Sequence, residues 1–262
     1  MEEAEALGLE LNYRLFDAGH GDFAAKDLGA LLDRLAAEGY AGVNVTHPFK
    51  QDVLAHLDAV SADVEALGAV NTVVFSEGRK IGHNTDWMGW SKGFLKFLPG
   101  AGLDHALLLG AGGAGSAVAF AALKLGVGKL TLFDIDTDQT RDLAGKLAKT
   151  FGPHRIAVAA TVAEVIGTAD GLINTTPIGM AQYPGAPIDL HLLRPNMWVA
   201  EVIYFPLETP LLAHARRIGC RTVGGGPMVV YQAAEAFCLF TGVRPDEERM
   251  FQAFTRSTVI EA

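Results

Sequence analysis

The run His105-Ala-Leu-Leu-Leu-Gly110-Ala-Gly112-Gly113-Ala-Gly115-Ser116 constrains this chain more than any other stretch. Ala106 to Leu109 is continuously apolar, without in-out alternation, which predicts a strand buried on both faces of a parallel sheet. Glycines stop that strand, and small residues then open a helix carrying Val118, Phe120 and Leu123. Strand, glycine turn and helix N-terminus, in that order, are the physical parts of a pyrophosphate site. Gly110 permits the tight turn, Gly112 lets the backbone approach the phosphates, and Gly115 lets helix and strand pack closely. The free N–H groups of the first helical turn supply the positive end for the anion. The next strand, Lys129 to Phe133, ends in Asp134, 24 residues past Gly110 and near the distance at which an acid grips the ribose hydroxyls. Asp134-Ile-Asp136-Thr-Asp138 holds no basic residue before Arg141. A carboxylate accepts hydrogen bonds from hydroxyls and repels a 2′-phosphate, so NAD is expected rather than NADP.

Composition limits what else the chain can be. With 50% hydrophobic and 19% charged residues it folds rather than staying disordered. A net charge of −9 argues against a nucleic-acid surface, and no apolar run approaches the roughly 18 residues of a spanning helix. Glu2, Glu3 and Glu5 stand where a signal peptide would be basic, and two cysteines cannot make a disulfide scaffold. The eight histidines are scattered without metal-ligand spacing, so no metal is expected. These features predict a cytoplasmic protein with no nucleic-acid or membrane partner, and leave open whether it is a monomer or homodimer.

Periodicity predicts the remaining elements. Met1 to Leu9 reads as a helix and Leu11 to Phe16 alternates like a strand. Asp27 to Ala37 places Leu28, Leu31, Leu32 and Leu35 on one helical face. Ala41 to Val45 is a short strand, followed by a helix with Val53, Leu54 and Leu57 on one side. Val70–Phe75 and Lys80–Asn84 form a hairpin through Ser76-Glu-Gly78. Asn84-Thr85-Asp86 caps a helix that carries Trp87, Trp90, Phe94 and Phe97. Leu98 to Leu103, rich in turn formers, reads as a linker. Beyond it, strands at 105–109, 129–133, 155–159, 171–175, 198–204 and 220–223 alternate with helices, as in a doubly wound α/β sheet. A helix starting at Thr209-Pro210, another over Pro227 to Phe240 and a last one over Asp246 to Arg256 follow. Two domains are therefore expected, 1–100 and 101–242, with the C-terminal helix of 243–262 packed back on the first.

A hydride-transfer site needs a group to take the proton from the alcohol. Lys50 and Asp86 stand out, each ending a strand-like segment and opening a helix, among Asn44, Thr46, Asn71, Thr72, Asn84 and Thr85. A lysine suits the first turn of a helix poorly, because the dipole disfavours a cation there. A residue kept against local preference is a functional candidate. Taken alone, Lys50 also fits a solvated surface lysine and Asp86 a plain cap.

Val43-Asn-Val-Thr-His-Pro-Phe-Lys50, Gly68-Ala-Val-Asn-Thr72, Gly82-His-Asn-Thr-Asp86-x-x-Gly89 and Gly110-Ala-Gly-Gly-Ala114 occur in this order. Asn174-Thr-Thr-Pro-Ile-Gly-Met180, Tyr204-x-Pro206-x-x-Thr209 and Gly225-x-x-Met228-x-x-x-Gln232 continue the series. The set resembles shikimate and quinate dehydrogenases over nearly the whole chain. The resemblance implies an N-terminal α/β substrate domain, a Rossmann domain and a site in the cleft between them. It implies that Lys50 and Asp86 form the catalytic pair, with Asp86 orienting the ammonium. Asn44, Thr46, Asn71, Asn84, Tyr204 and Gln232 would hold the substrate. Gly110, Ala111, Gly112, Gly113, Ala114, Asp134, Asn174, Thr175, Thr176, Pro177, Gly225 and Met228 would hold the cofactor. The implied reaction oxidises the ring 3-hydroxyl of quinate or shikimate with NAD.

Two departures from the family pattern stand out. Members usually begin with a strand and a loop bearing two hydroxyl residues for the substrate carboxylate. Met1-Glu-Glu-Ala-Glu-Ala aligns with the helix after that loop, so Met1 is expected to be internal to the natural protein. Glu201 stands where an Asp is common. Competing readings are a folate-type methylene dehydrogenase, which lacks the Asn-Thr-Asp86 context, and a ligand-binding module without catalysis on the same fold.

Overall fold

A computed structural model describes residues 1–21, 23–24 and 27–260. Contacts divide the chain into two compact units, Met1–Thr85 with Ala233–Ala253, and Asp86–Gln232 with the residues from Phe254 on. The division falls at Thr85/Asp86, earlier than the linker drawn at 98–103. That loop is fastened into the second unit, where the Trp198 indole N–H donates to Gly102 O at 2.8 Å.

The first unit begins with helices α1 (Glu2–Ala6) and α2 (Leu28–Ala37). Strands β1 (Gly42–Asn44) and β2 (Ala59–Val60), helix α3 (Ala62–Leu67) and strands β3 (Thr72–Ser76) and β4 (Arg79–His83) follow. The sheet runs β1-β3-β4-β2, with β1/β3 and β3/β4 antiparallel and β2/β4 parallel. The β3–β4 hairpin turns through two residues at positive φ, Glu77 at 51° and Gly78 at 72°. Positive φ at both central positions matches the twist of the flanking strands. Leu28 and Leu32 of α2 bury against Val45, Val53, Val64, Val70 and Val73. The spacing that predicts α2 is thus the spacing that fills this core.

Two expectations fail here. Residues 11–16 form no strand: Tyr13 and Leu15 are 60% and 78% exposed, so the alternation faces water rather than a core. The segment after Lys50 is a 3₁₀ turn over Asp52–His56, not an α-helix, and Lys50 itself lies in the turn before it. The helix-dipole argument for Lys50 therefore has no helix to act on.

In the second unit, α4 (Asp86–Phe97) precedes β5 (His105–Leu109), α5 (Gly113–Lys124), β6 (Lys129–Phe133), α6 (Thr137–Phe151) and β7 (Ile156–Val158). Asp86 is the first residue of α4 rather than a cap outside it. Next come α7 (Ala163–Ile166), β8 (Gly171–Asn174), β9 (Trp198–Glu201), α8 (Pro210–Arg217) and β10 (Arg221–Val223). The six strands are all parallel, in the order β10-β9-β8-β5-β6-β7. From β5 the chain winds outward to β7 and then returns to β8, so the order reverses between β5 and β8. This is the doubly wound arrangement, whose ligands bind at the carboxyl ends of the strands at the reversal. Ala106 to Leu109 is 0–2% exposed, as the uninterrupted apolar run predicts.

Helix α9 (Gly226–Thr241) divides between the units at Gln232/Ala233, and α10 (Glu247–Ile260) starts from Asp246. The Asp246 carboxylate caps α10 by accepting from Glu248 N and Arg249 N, both at 3.0 Å. Glu3 of α1, 6% exposed, accepts from Arg249 Nε at 2.5 Å and Nη2 at 2.9 Å, and from Asp246 N at 2.7 Å. These bonds hold its carboxyl below the ordinary range, the Arg249 guanidinium first among the causes. A depressed carboxyl contributes stability above its unfolded pKa and loses it as pH falls through the folded value. Arg249→Ala is therefore expected to lower Tm at pH 7, with the difference from wild type closing below about pH 4. A gap that persists unchanged into acid in thermal melts would refute this.

Candidate active site

In the first unit a buried polar network gathers three chain segments. Asn71, 4% exposed, accepts from Thr85 N at 2.7 Å through Oδ1 and donates from Nδ2 to Thr85 Oγ1 at 3.0 Å. Thr72 Oγ1 donates to Asn71 Oδ1 at 3.0 Å and receives the Asn44 amide at 3.2 Å. Strand register places these residues side by side, Asn44 opposite Thr72 and Thr72 opposite His83. Asn84 donates to Ala69 O at 3.0 Å. Lys50 joins through its backbone, since Val70 N donates to Lys50 O at 2.8 Å, next to Asn71 in the chain. Asp86, 7% exposed, directly follows Thr85. Buried amides and hydroxyls are costly unless paired, so this much pairing fixes the geometry of segments 44–50, 69–72 and 83–85.

Thr46 is exposed, and its hydroxyl donates to His47 O at 3.5 Å. Tyr13, read from the sequence as a strand residue, donates its hydroxyl to Asn44 Oδ1 at 3.1 Å. Nothing in local periodicity could have signalled that contact.

In the second unit the glycine turn is built as the fingerprint requires. Gly110 has φ 96°, a conformation closed to most side chains. A Cβ on Gly115 would lie 2.1 Å from Gly110 O. At Gly112 and Gly113, by contrast, a Cβ would meet nothing within 4 Å. The turn is tight where strand and helix touch and open where a phosphate would approach, with Gly113 opening α5. Ala111 N donates to Asp134 Oδ2 at 2.6 Å and Asp136 N to Oδ1 at 3.1 Å. A carboxylate has about four lone-pair positions, so acceptor capacity remains for ribose hydroxyls. Asp134 thus fits both roles, bracing the turn and gripping a sugar.

The loop after β8 lies beside this turn. Thr175 Oγ1 reaches Leu109 O at 2.7 Å and Gly110 O at 2.9 Å. Asn174 is its hub: Oδ1 accepts from Thr176 N at 3.1 Å and Thr176 Oγ1 at 2.7 Å, while Nδ2 donates to Ile178 O at 3.3 Å. Pro177 O accepts from Met180 N at 3.0 Å. Gly225 sits where a Cβ would fall 2.1 Å from Val202 O, so the missing side chain lets two backbone segments pack closely. Gln232 and Met228 line one side of α9 against Gly89, where a Cβ would lie 2.6 Å from Gln232 N and 2.7 Å from Met228 O. Tyr204 is 49% exposed, just before the cis Phe205–Pro206 bond.

Known proteins match this pattern along its length. A family model described as the shikimate dehydrogenase substrate binding domain matches residues 1–73. The chain is 48% identical to a shikimate dehydrogenase (NADP(+)) of Streptomyces avermitilis, over 95% of this chain and 86% of that protein. The chain belongs to the shikimate and quinate dehydrogenase family. A quinate/shikimate dehydrogenase (NAD(+)) of Corynebacterium glutamicum is 43% identical over 97% of this chain and 92% of that protein. The solved quinate dehydrogenase from Corynebacterium glutamicum in complex with NAD superposes with a TM-score of 0.94 at 42% identity, covering 97% of this chain and 92% of that one. The family's two-part α/β architecture, one part a Rossmann-type sheet, is the fold described above. Among the described residues no group of His, Cys, Asp or Glu could hold a metal, and no helix is long and apolar enough to cross a membrane.

Proposed function

We propose that this chain oxidises the ring 3-hydroxyl of quinate or shikimate to the 3-dehydro compound, with NAD as acceptor. The observation that carries the proposal is the Asn71 network, which ties the Lys50 backbone and the residue before Asp86 into one buried polar framework. The Lys50 amine takes the hydroxyl proton, and Asp86 orients the ammonium that results. Asn44, Thr46, Asn71, Asn84, Tyr204 and Gln232 hold the remaining hydroxyls and the carboxylate of the substrate. Gly110, Ala111, Gly112, Gly113, Ala114 and Asp134 hold the dinucleotide. Asn174, Thr175, Thr176, Pro177, Gly225 and Met228 complete that side. When bound, NAD accepts the hydride leaving the alcohol carbon.

Relatives differ in cofactor by name, NADP(+) in Streptomyces and NAD(+) in Corynebacterium. The choice for this chain rests on its own residues. Asp134 is already oriented by Ala111 N and Asp136 N, and an anion fixed there repels a 2′-phosphate. Steady-state assays should give kcat/KM for NAD about 10²-fold above NADP, the ratio for 2–3 kcal/mol of repulsion. Equal or better efficiency with NADP would reverse the cofactor assignment. The same assay with quinate and shikimate tests the substrate class, and turnover of neither would favour a binding module without catalysis.

A further inference from the structure

We propose that Glu201 is a positioning residue whose carboxylate holds the loop after β8 in the form that receives the nucleotide. This rests on the proposed placement of the nucleotide on that loop. Glu201 ends β9, is 1% exposed, and stands opposite Asn174 in the sheet register. Its Oε2 accepts from Asn174 Nδ2 at 3.4 Å and its Oε1 from Thr209 Oγ1 at 2.8 Å. Thr209 Oγ1 has no second proton to offer and already accepts from Leu212 N at 3.2 Å as the cap of α8. Both neighbours donate to the carboxyl, and an ionised carboxylate, an acceptor at every position, receives the two together. Protonation would add an O–H that Thr209 Oγ1 could accept only by turning its own proton away, so the bond it donates to the carboxylate is given up. Asn174 in turn organises Thr176 and Ile178, so the loop feels the charge on Glu201.

The surroundings set that charge near neutrality. Burial pushes the Glu201 carboxyl up to about 7, against the pull of Thr209, Asn174 and Arg216. Strand β8 brings no charged residue to it. On β10, Arg221 turns away to donate to Pro99 O at 2.7 Å. On α8, Arg216 is shared with Glu208 at 2.7 Å and Thr222 at 2.9 Å, while Arg217 bonds His214. A carboxyl raised in the folded state contributes stability below its unfolded pKa and loses it as pH rises through the folded value. The ionised form is thus thermally the less stable one and, by the geometry, the one that orders the loop.

The test is Glu201→Gln, which fixes the uncharged form at every pH. In the wild type, KM for NAD should rise by about 3–10-fold as pH falls through neutrality, the worth of one hydrogen bond. In Glu201→Gln it should stay at the high value across that range, with Tm at pH 8 no lower than wild type. Thr209→Val, which removes a donor to the carboxylate, should move the inflection to higher pH, and Thr209→Ser should restore it. Amide exchange at Thr176 and Ile178 in the ligand-free protein at pH 8 should be faster in Glu201→Gln. Unchanged exchange, or an inflection that persists without Glu201, overturns the inference. Faster exchange with unchanged NAD affinity would instead show that the nucleotide does not rest on this loop, and the positioning role falls with it.

Discussion

Lys50→Ala is expected to lower kcat by about 10²–10⁴-fold, the usual cost of losing general acid–base help. The Kd for NAD should stay near the wild-type value, because Lys50 belongs to the 44–50 segment and not to the glycine turn of the other unit. Asp86→Asn should fall in the same range. The double variant should be little worse than the worse single one, since residues acting as a unit are not additive. Strictly additive losses would assign the two side chains separate tasks and remove the proposed pairing. The framework gives a control: Asn71, braced by Thr72 and Thr85, should on truncation affect stability as well as turnover, because buried donors and acceptors lose their partners.

Gly115→Ala is expected to destabilise the second unit strongly. Its Cβ would lie 2.1 Å from Gly110 O and 2.9 Å from Thr175 Oγ1, and the first of these is backbone that cannot swing aside. Overpacking of this kind costs about 1–3 kcal/mol or more, against at most ~1 kcal/mol gained in helix propensity. For a chain of this length that corresponds to a Tm lower by about 3–10 °C. Gly113→Ala is the counterpart, with nothing within 4 Å of the added carbon. It should melt like the wild type yet bind NAD more weakly, because the methyl group would stand where the proposed phosphate site lies. If Gly115→Ala melts normally, the strand–helix contact is looser than described. If Gly113→Ala binds normally, the phosphates do not pass over that glycine.

Legibility differed between the two halves for a physical reason. A parallel strand buried on both faces must be apolar throughout, so His105–Leu109 and Lys129–Phe133 are strands at the residues that the sequence marks. Alternation is a weaker signal, because it needs a neighbouring strand to pair with. Leu11 to Phe16 alternates, finds no ladder, and leaves Tyr13 and Leu15 in solvent. Lys50 was selected partly for opposing a helix dipole, yet it precedes a 3₁₀ turn. Its claim rests on family motif and on the Val70 N bond instead. Asn44, Asn71, Thr72 and Thr85 are all candidates in the sequence, but the bonds from Asn71 to Thr85 and from Asn44 to Thr72 join positions 14 and 28 apart and have no local signature. In the sequence Glu201 stands out only as a residue within an expected strand where the family commonly has Asp. Its burial between two donors is a tertiary fact.

The Asp134 carboxylate has a consequence for anyone wishing to retune this protein. One of its oxygens is bonded to Ala111 N, inside the glycine turn, and the other to Asp136 N. On the proposed reading, the residue that would grip the sugar is also a strut of the turn that would seat the phosphates, so the two could not be exchanged as separate modules. A swap to a small neutral side chain would admit a 2′-phosphate while loosening the amide that shapes the turn, so affinity for both nucleotides would drop together. With NAD as the proposed cofactor, conversion to NADP would call for a replacement that brings a cation and still offers Ala111 an acceptor.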